Sequence, residues 1–232
     1  MAFAGEGLLA LWNGFDPGRR AEYDLWHTRE HLPERLAVPG FVAARRYSGG
    51  DGPLPAWLTL YEVEAPTILM SEPYLRLLGN PTAWSRGMRG SFRDFLRLGC
   101  RVVLSRGGGT GGALLATTFA AADLPAGPDG CAALATLLTL PAVTAVHLAV
   151  VDPDIAAVPF AAGARWPGQK ADGALFVEGY DRAALSAACS DIATVAAGVG
   201  LVPDQPNWTS YALAYALDRV DLPAVVGYVR PV

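Results

Sequence analysis

The sequence predicts an α+β chain built from two tandem βαββαβ units, the ferredoxin-like order, whose antiparallel sheets pack face to face. Three observations predict it. Turn-flanked apolar runs of strand length recur in the same order in both halves, and helix signals fall between them at matching places. The strands are also apolar on both faces, Leu8, Ala10 and Trp12 alternating with Leu9, Leu11 and Asn13. A sheet of that kind must be covered twice, by helices on one face and by a second sheet on the other.

In chain order, the first strand is GLLALWNGF (7–15), matched by GALLATTFA (112–120). Asp16-Pro17 then supplies a helix cap followed by proline at the first helical position. Ala21, Leu25, Thr28, Leu32 and Leu36 form an apolar stripe at helical spacing, and Pro33 is expected to bend or interrupt the last turn. RLAVPGFVAARRY (35–47) reads as a helix end, a Pro-Gly turn and a strand, with LLTLPAVTAVHLA (137–149) as its counterpart. WLTLYEVEAP (57–66) and ALFVEGYDRA (174–183) are strands leading into helices.

A second helical region begins near Ser71-Glu-Pro and breaks at Gly79-Asn-Pro81. It is expected to resume with Trp84, Met88, Phe92 and Phe95 on one face and Arg86, Arg89, Arg93 and Arg97 on a solvated one. FLRLGCRVVLS (95–105) and WTSYALAYALD (208–218) close the two halves. The domain reading is an N-terminal repeat over 1–105, a glycine-rich linker over 106–112 and a C-terminal, degenerate repeat over 113–232.

Composition narrows the function classes. Apolar residues make up 52% of the 232, enough for a substantial core, and net charge is −4. Residues 1–106 hold 13 Arg and 11 acids, the remainder 5 basic residues and 11 acids, so neither half offers a nucleic-acid footprint. No apolar run approaches the roughly 18 residues of a membrane span, and no basic segment precedes the first apolar stretch. Cys100, Cys131 and Cys189 are scattered and odd in number, which argues against a disulfide framework. A cytoplasmic protein is the expectation, with no nucleic-acid or membrane partner.

GGGTGG (107–112) satisfies G-x-G-x-x-G but precedes a strand rather than a helix, so it reads as a linker. His27-Thr-Arg-Glu30-His31 matches the H-x-x-E-H string of zinc peptidases. A third ligand downstream is missing from the sequence, since no glutamate occurs between Glu72 and Glu178, and no metal is expected. Two further readings stay open: a polar helix face without a role, or an acid/base pair. Favouring the second, Tyr23, His27 and His31 form an i, i+4, i+8 row beside Trp26, and imidazole is the group best suited to proton transfer near neutral pH.

WHTREHLPERLAVPGF, followed by ARRYSG, WLTLYEVE and PYLRLLGNPTAWSRGM, resembles the EthD-like branch of the dimeric α+β barrel superfamily over residues 7–105. The resemblance implies that the two sheets close as an intrachain α+β barrel. It also implies that His31, the histidine followed by Leu-Pro, matches the family's helix histidine. Members include cofactor-free monooxygenases, isomerases, polyketide cyclases and haem enzymes, so the fold does not choose the reaction. In the second repeat Asp129 and Ala133 stand opposite His27 and His31, which leaves one polar site; His147 stands opposite Arg45.

The functional expectation is acid/base chemistry of isomerase, cyclase or lyase type on a small apolar carbonyl or aromatic compound. His31 is the catalytic acid/base and His27 adjusts it, while Tyr23, Trp26, Asn13, Tyr47 and Tyr61 bind the substrate. No cofactor is expected, with haem as the exception that a visible absorption spectrum would reveal. A cofactor-free monooxygenase and a non-catalytic metabolite-binding or structural protein are the alternatives; the long loop 151–173, rich in Pro, Ala and Gly, fits the last, with a C-terminal half that is mainly a lid and sheet partner. The internal duplication permits a monomer, and a homodimer stays open.

Overall fold

The computed structural model describes residues 2–120, 128–156, 171–201 and 208–224. The first repeat contains β1 (Gly7–Phe15), α1 (Arg20–Trp26), α2 (Leu32–Ala37), β2 (Phe41–Asp51) and β3 (Trp57–Val63). It continues with α3 (Glu72–Gly79), α4 (Ala83–Met88) and β4 (Phe92–Gly107). The second repeat runs β5 (Ala113–Phe119), α5 (Pro128–Ala135), β6 (Val143–Val151), a short α6 (Pro153–Ala156), β7 (Gly173–Gly179), α7 (Arg182–Ala187), α8 (Cys189–Gly198) and β8 (Thr209–Asp218). The eight strands form one closed antiparallel barrel in the order β1-β3-β2-β8-β5-β7-β6-β4. Each repeat contributes a four-stranded sheet, and the seams are β2 with β8 and β4 with β6.

The two-sided apolar pattern has a direct structural counterpart. Leu8, Ala10, Trp12, Leu58, Leu60, Leu98, Leu114 and Phe176 fill the barrel interior. Leu9, Leu11, Tyr61 and Val63 face outward onto α2 and α3, and Leu115, Leu148, Leu175 and Val177 do the same beneath α5, α7 and α8. Helices therefore clothe the outside of a barrel whose inside is packed with side chains. The Pro39-Gly40 turn needs its glycine, because Gly40 has φ 88° and a Cβ there would lie 2.5 Å from Cδ1 of Ile68.

The first helix departs from expectation. Pro33 does not end it; helical backbone runs from Arg20 to Ala37 through one π turn at His27–His31, where the Leu32 N–H donates to the His27 carbonyl five residues back. A π turn inserts one residue, so the buried row passes from Tyr23, Trp26 and His27 to Leu32 and Leu36 rather than along the uniform stripe through Leu25, which is 52% exposed. Proline, lacking an N–H, withdraws one donor just where the ladder changes step. The second helical region also ends early: Phe92 and Phe95 belong to β4, and only Trp84 and Met88 lie on α4. Gly87 and Gly90 weaken helix there, and from Phe92 the backbone pairs with β1 as a strand. The arginine row is split accordingly, with Arg86 on α4, Arg89 in the turn after it, and Arg93 and Arg97 on β4.

Strand β4 continues to Gly107, two residues into the glycine-rich stretch. Most of the segment read as a long loop, residues 157–170 of 151–173, lies outside the described residues. No helix among the described residues is long and apolar enough to cross a membrane.

One mouth of the barrel carries buried charge. Arg45 of β2 bridges Glu62 of β3, at 2.9 Å, and Glu178 of β7; His147 of β6 sits 3.2 Å from Glu178 Oε1 through Nε2. Leu8 pairs with Glu62 as Leu114 pairs with Glu178, so the carboxylates occupy equivalent places in the repeats, and His147 stands where the first repeat has Arg45. The N-terminal segment covers the cluster. Phe3 stacks on His147 with ring centroids 3.9 Å apart, its N–H donates to Ser105 Oγ, and the Ala4 N–H donates to Glu62 Oε2.

Candidate functional site

Between the outer face of the first sheet and its helices lies a cavity of about 250 Å³. His27 and His31, carried by the π turn, form part of its wall, with Trp26, Glu34 and Arg35 from the same helical run and Leu11, Asn13 and Thr59 from the sheet. Tyr74, Leu77, Leu78, Ser85, Arg89, Phe92 and Phe95 close the other side. The question left by the sequence, whether the histidines face a pocket or water, is answered by this placement: both line the pocket.

The imidazoles are held by aromatic contacts. His31 stacks on Trp26 at 4.1 Å between centroids, and His27 meets Tyr23 edge-on at 4.8 Å and His31 at 5.0 Å. Trp26 is itself fixed: its Nε1–H donates to Glu30 Oε1 at 3.2 Å, and the same oxygen accepts from Thr82 Oγ1 at 2.5 Å and Ser85 Oγ at 3.0 Å. Glu30, the residue that suggested a zinc peptidase base, thus ties the π turn to α4. Among the described residues no three His, Cys, Asp or Glu side chains gather as metal ligands.

Electrostatics keep both rings neutral. Burial pushes the His27 pKa well below its usual value, helped by the charge of Arg46 and then by His31 and Arg35; for His31 burial acts first, then Arg35 and Arg46. The Nδ1 atoms of both histidines are buried and have no hydrogen-bond partner among the described residues. A buried imidazole nitrogen without a partner is a group whose hydrogen-bonding capacity is unspent. Arg46 lies between the rings of Tyr23 and Trp57, at 4.6 and 4.3 Å, with Asp24 as its ion-pair partner at 2.7 Å.

The other residues expected to bind substrate separate into three positions. Asn13 and Trp26 line the cavity. Tyr23 and Tyr61 stand behind it: the Tyr23 hydroxyl donates to Asn13 Oδ1 at 3.0 Å, and Tyr61 is 6.5 Å from His31 between centroids. Burial pushes the Tyr23 pKa up to about 12 and that of Tyr61 higher still. Tyr47 does not join them; it points into the barrel interior beside Arg45, on the opposite face of the sheet. Sequence reasoning missed Glu34, Arg35, Thr59, Tyr74 and Arg89. For the first two a signal was present, since they follow His31 by three and four residues and so share its face.

No protein-family model and no curated protein sequence matches the chain. Solved structures do. An anthrone oxidase-like protein superposes with a TM-score of 0.62 at 12% identity, covering 94% of this chain and 96% of the other. The chain has a ferredoxin-like α+β barrel fold. A candidate monooxygenase from Fusobacterium nucleatum gives a TM-score of 0.53 at 7% identity, with 93% and 98% covered. A haem-binding protein from Thermus thermophilus gives 0.53 at 13%, with 97% and 96% covered.

The last of these corrects the expectation that no cofactor is involved. A haem-binding protein shares this fold over nearly its whole length, so the lack of a cofactor motif in the sequence carries no weight. The described cavity nevertheless does not fit an iron tetrapyrrole. Its donor types are suitable, two neutral imidazoles and two guanidinium groups, but about 250 Å³ lies below the roughly 300–1,000 Å³ of pockets for drug-sized ligands. The space between helices and sheet in the second repeat is filled by Leu134, Leu137, Leu175, Leu185 and Ile192.

Proposed function

We propose that this protein is a monooxygenase for a small, largely apolar aromatic or enolisable carbonyl compound, with His31 as the proton-accepting residue. The observation that carries the reading is the pair of neutral imidazoles lining a largely apolar cavity of small-molecule size. The anthrone oxidase-like and candidate monooxygenase neighbours support it over isomerisation or cyclisation, which would use the same proton step. The EthD-like sequence WHTREHLPERLAVPGF supports the same assignment.

The chain's own part is binding and proton removal. Leu11, Leu77, Phe92 and Phe95 bury the ring system, Asn13 is aimed by Tyr23, and His31 takes the proton whose loss makes the substrate electron-rich. For an anthrone the overall change balances as anthrone plus O2 giving anthraquinone plus water: two C–H bonds break at one carbon, one oxygen atom becomes its carbonyl and the other leaves as water. Because the barrel closes within one chain, a monomer suffices; the cysteines, described as free thiols, suit a cytoplasmic setting.

Oxygen uptake by the purified protein with anthrone or 1-naphthol tests the proposal. His31→Ala, shown folded by its thermal transition, is expected to lower kcat/KM by about 10²–10⁴, the usual contribution of a positioned base. Absence of substrate-dependent oxygen uptake by the parent, or full activity in His31→Ala, refutes it.

A further inference from the structure

Arg35 on α2 and Arg89 in the turn after α4 line the same cavity as the imidazoles. Arg89 is exposed, but Arg35 is only partly so, and no hydrogen bond or ion pair joins the Arg35 guanidinium to any described residue, although its backbone carbonyl accepts from the Val38 N–H. Its condition is unusual in this chain. Other arginines of similar or greater burial are engaged: Arg19 with Glu22, Arg45 with Glu62 and Glu178, Arg46 with Asp24, Arg182 with Ser210 and Gly49, and Arg219 with the carbonyls of Leu36 and Val38. A partly desolvated guanidinium without a counter-charge is costly to keep, and its planar fork matches a carboxylate. The adjacent Glu34 makes no hydrogen bond or ion pair with the Arg35 guanidinium: burial raises the Glu34 pKa and the nearby charge of Arg35 opposes that rise without a direct contact.

We propose that the substrate carries a carboxylate and that Arg35 determines this specificity, pairing with the acid while His31, one helical turn away on the same face, reaches the acidic proton. The class is a hydroxyaryl or enolisable keto carboxylic acid. Arg89 stands at the cavity as a second positive group that draws the anion in. Pairing of Arg35 with the carboxylate also neutralises a charge that opposes protonation of His31. The inference rests on the proposed ligand position in this cavity, but not on the reaction that follows.

Calorimetric titration with 1-hydroxy-2-naphthoate and 1-naphthol tests it, because the two probes differ only in the acid. The parent protein is expected to bind the acid at least about tenfold more tightly, as one charge-assisted pair provides. In Arg35→Gln that preference falls to within about twofold, whereas 1-naphthol affinity moves by less than about twofold. Arg35→Lys keeps the charge without the fork and retains only part of the preference, which decides the matter if the glutamine variant does not fold. Equal binding of the two probes by the parent, no binding of either, or a preference unchanged in the Arg35 variants overturns the inference. A protein that prefers the acid through Arg35 yet consumes no oxygen upholds it and removes only the monooxygenase reading.

Discussion

Replacing Arg45 by methionine removes the single guanidinium that holds two carboxylates inside the barrel. Glu62 and Glu178 are 1% and 0% exposed, and Arg45 is 4% exposed, so water cannot take over the lost interaction. Breaking a buried pair from one side costs about 3–5 kcal/mol, because the remaining charges stay desolvated. At roughly 2–4 °C per kcal/mol for a chain of this size, the thermal midpoint should fall by about 6–20 °C. The loss should also depend on pH. Burial already pushes the Glu62 pKa up; for Glu178 burial acts the same way but is outweighed by His147, Arg45 and the Gly111 N–H. Without Arg45 the Glu62 carboxyl is pushed up further and Glu178 loses one of the charges that hold it down, so at Glu62 the folded state binds protons more tightly than the unfolded chain, whose glutamates titrate near about 4.3. Stability of the variant then rises as pH falls towards the raised value, and the deficit against the parent is larger at pH 8 than at pH 5.5. Calorimetric unfolding at both pH values measures this. A loss below about 1 kcal/mol, or an equal deficit at both, refutes the reasoning.

The neutral histidines predict that the acid limb of a kcat/KM profile lies below about pH 6.5, the ordinary imidazole value; a limb above it contradicts the burial of His27 and His31. Their lowered folded pKa values have a stability counterpart: the unfolded chain takes up protons first, so stability drops as pH falls below about 6.5, measurable by denaturant titration. Tyr23→Phe removes the hydrogen bond to Asn13 and should cost about 1 kcal/mol, with a rise in KM as Asn13 loses its aim. Glu30→Ala strips Trp26, Thr82 and Ser85 of a shared acceptor, so a loss of about 1–3 kcal/mol is expected, with changed near-ultraviolet dichroism from Trp26. Gly99→Ala places a methyl group 2.2 Å from Ile155 Cγ2 and should destabilise by about 1–3 kcal/mol, read from urea unfolding.

Local patterns made the order of elements legible. Strands such as GLLALWNGF show apolar residues on both faces, and Asp16-Pro17 and Pro39-Gly40 mark turns through backbone chemistry that acts within a few residues. The His27–His31 pair was legible as well, since i and i+4 share a helix face whatever surrounds them. The stripe through Leu25 failed because one inserted residue in a π turn moves every later position by about a quarter of a turn. Phe92 and Phe95 lie on a strand rather than a helix because a short apolar run fits either period until a neighbouring strand chooses; β1 chose by pairing with this part of β4. Tyr47, expected in the substrate pocket, is turned into the barrel by strand register.

By itself, then, the sequence determined the repeated element order, the burial of both strand faces and the presence of one histidine pair in two repeats, because periodicity and turn chemistry are local. The tertiary structure decided everything that depends on register and on distant segments meeting. It closed the barrel through the β2–β8 and β4–β6 seams, brought Arg45, Glu62, His147 and Glu178 to one mouth, and set α3 and α4 opposite His31 so that a cavity with an unpaired Arg35 lies between them. Such meetings join separate segments of the chain, Arg45 and Glu178 across 133 positions, and only the packing of the two sheets fixes which of them face each other.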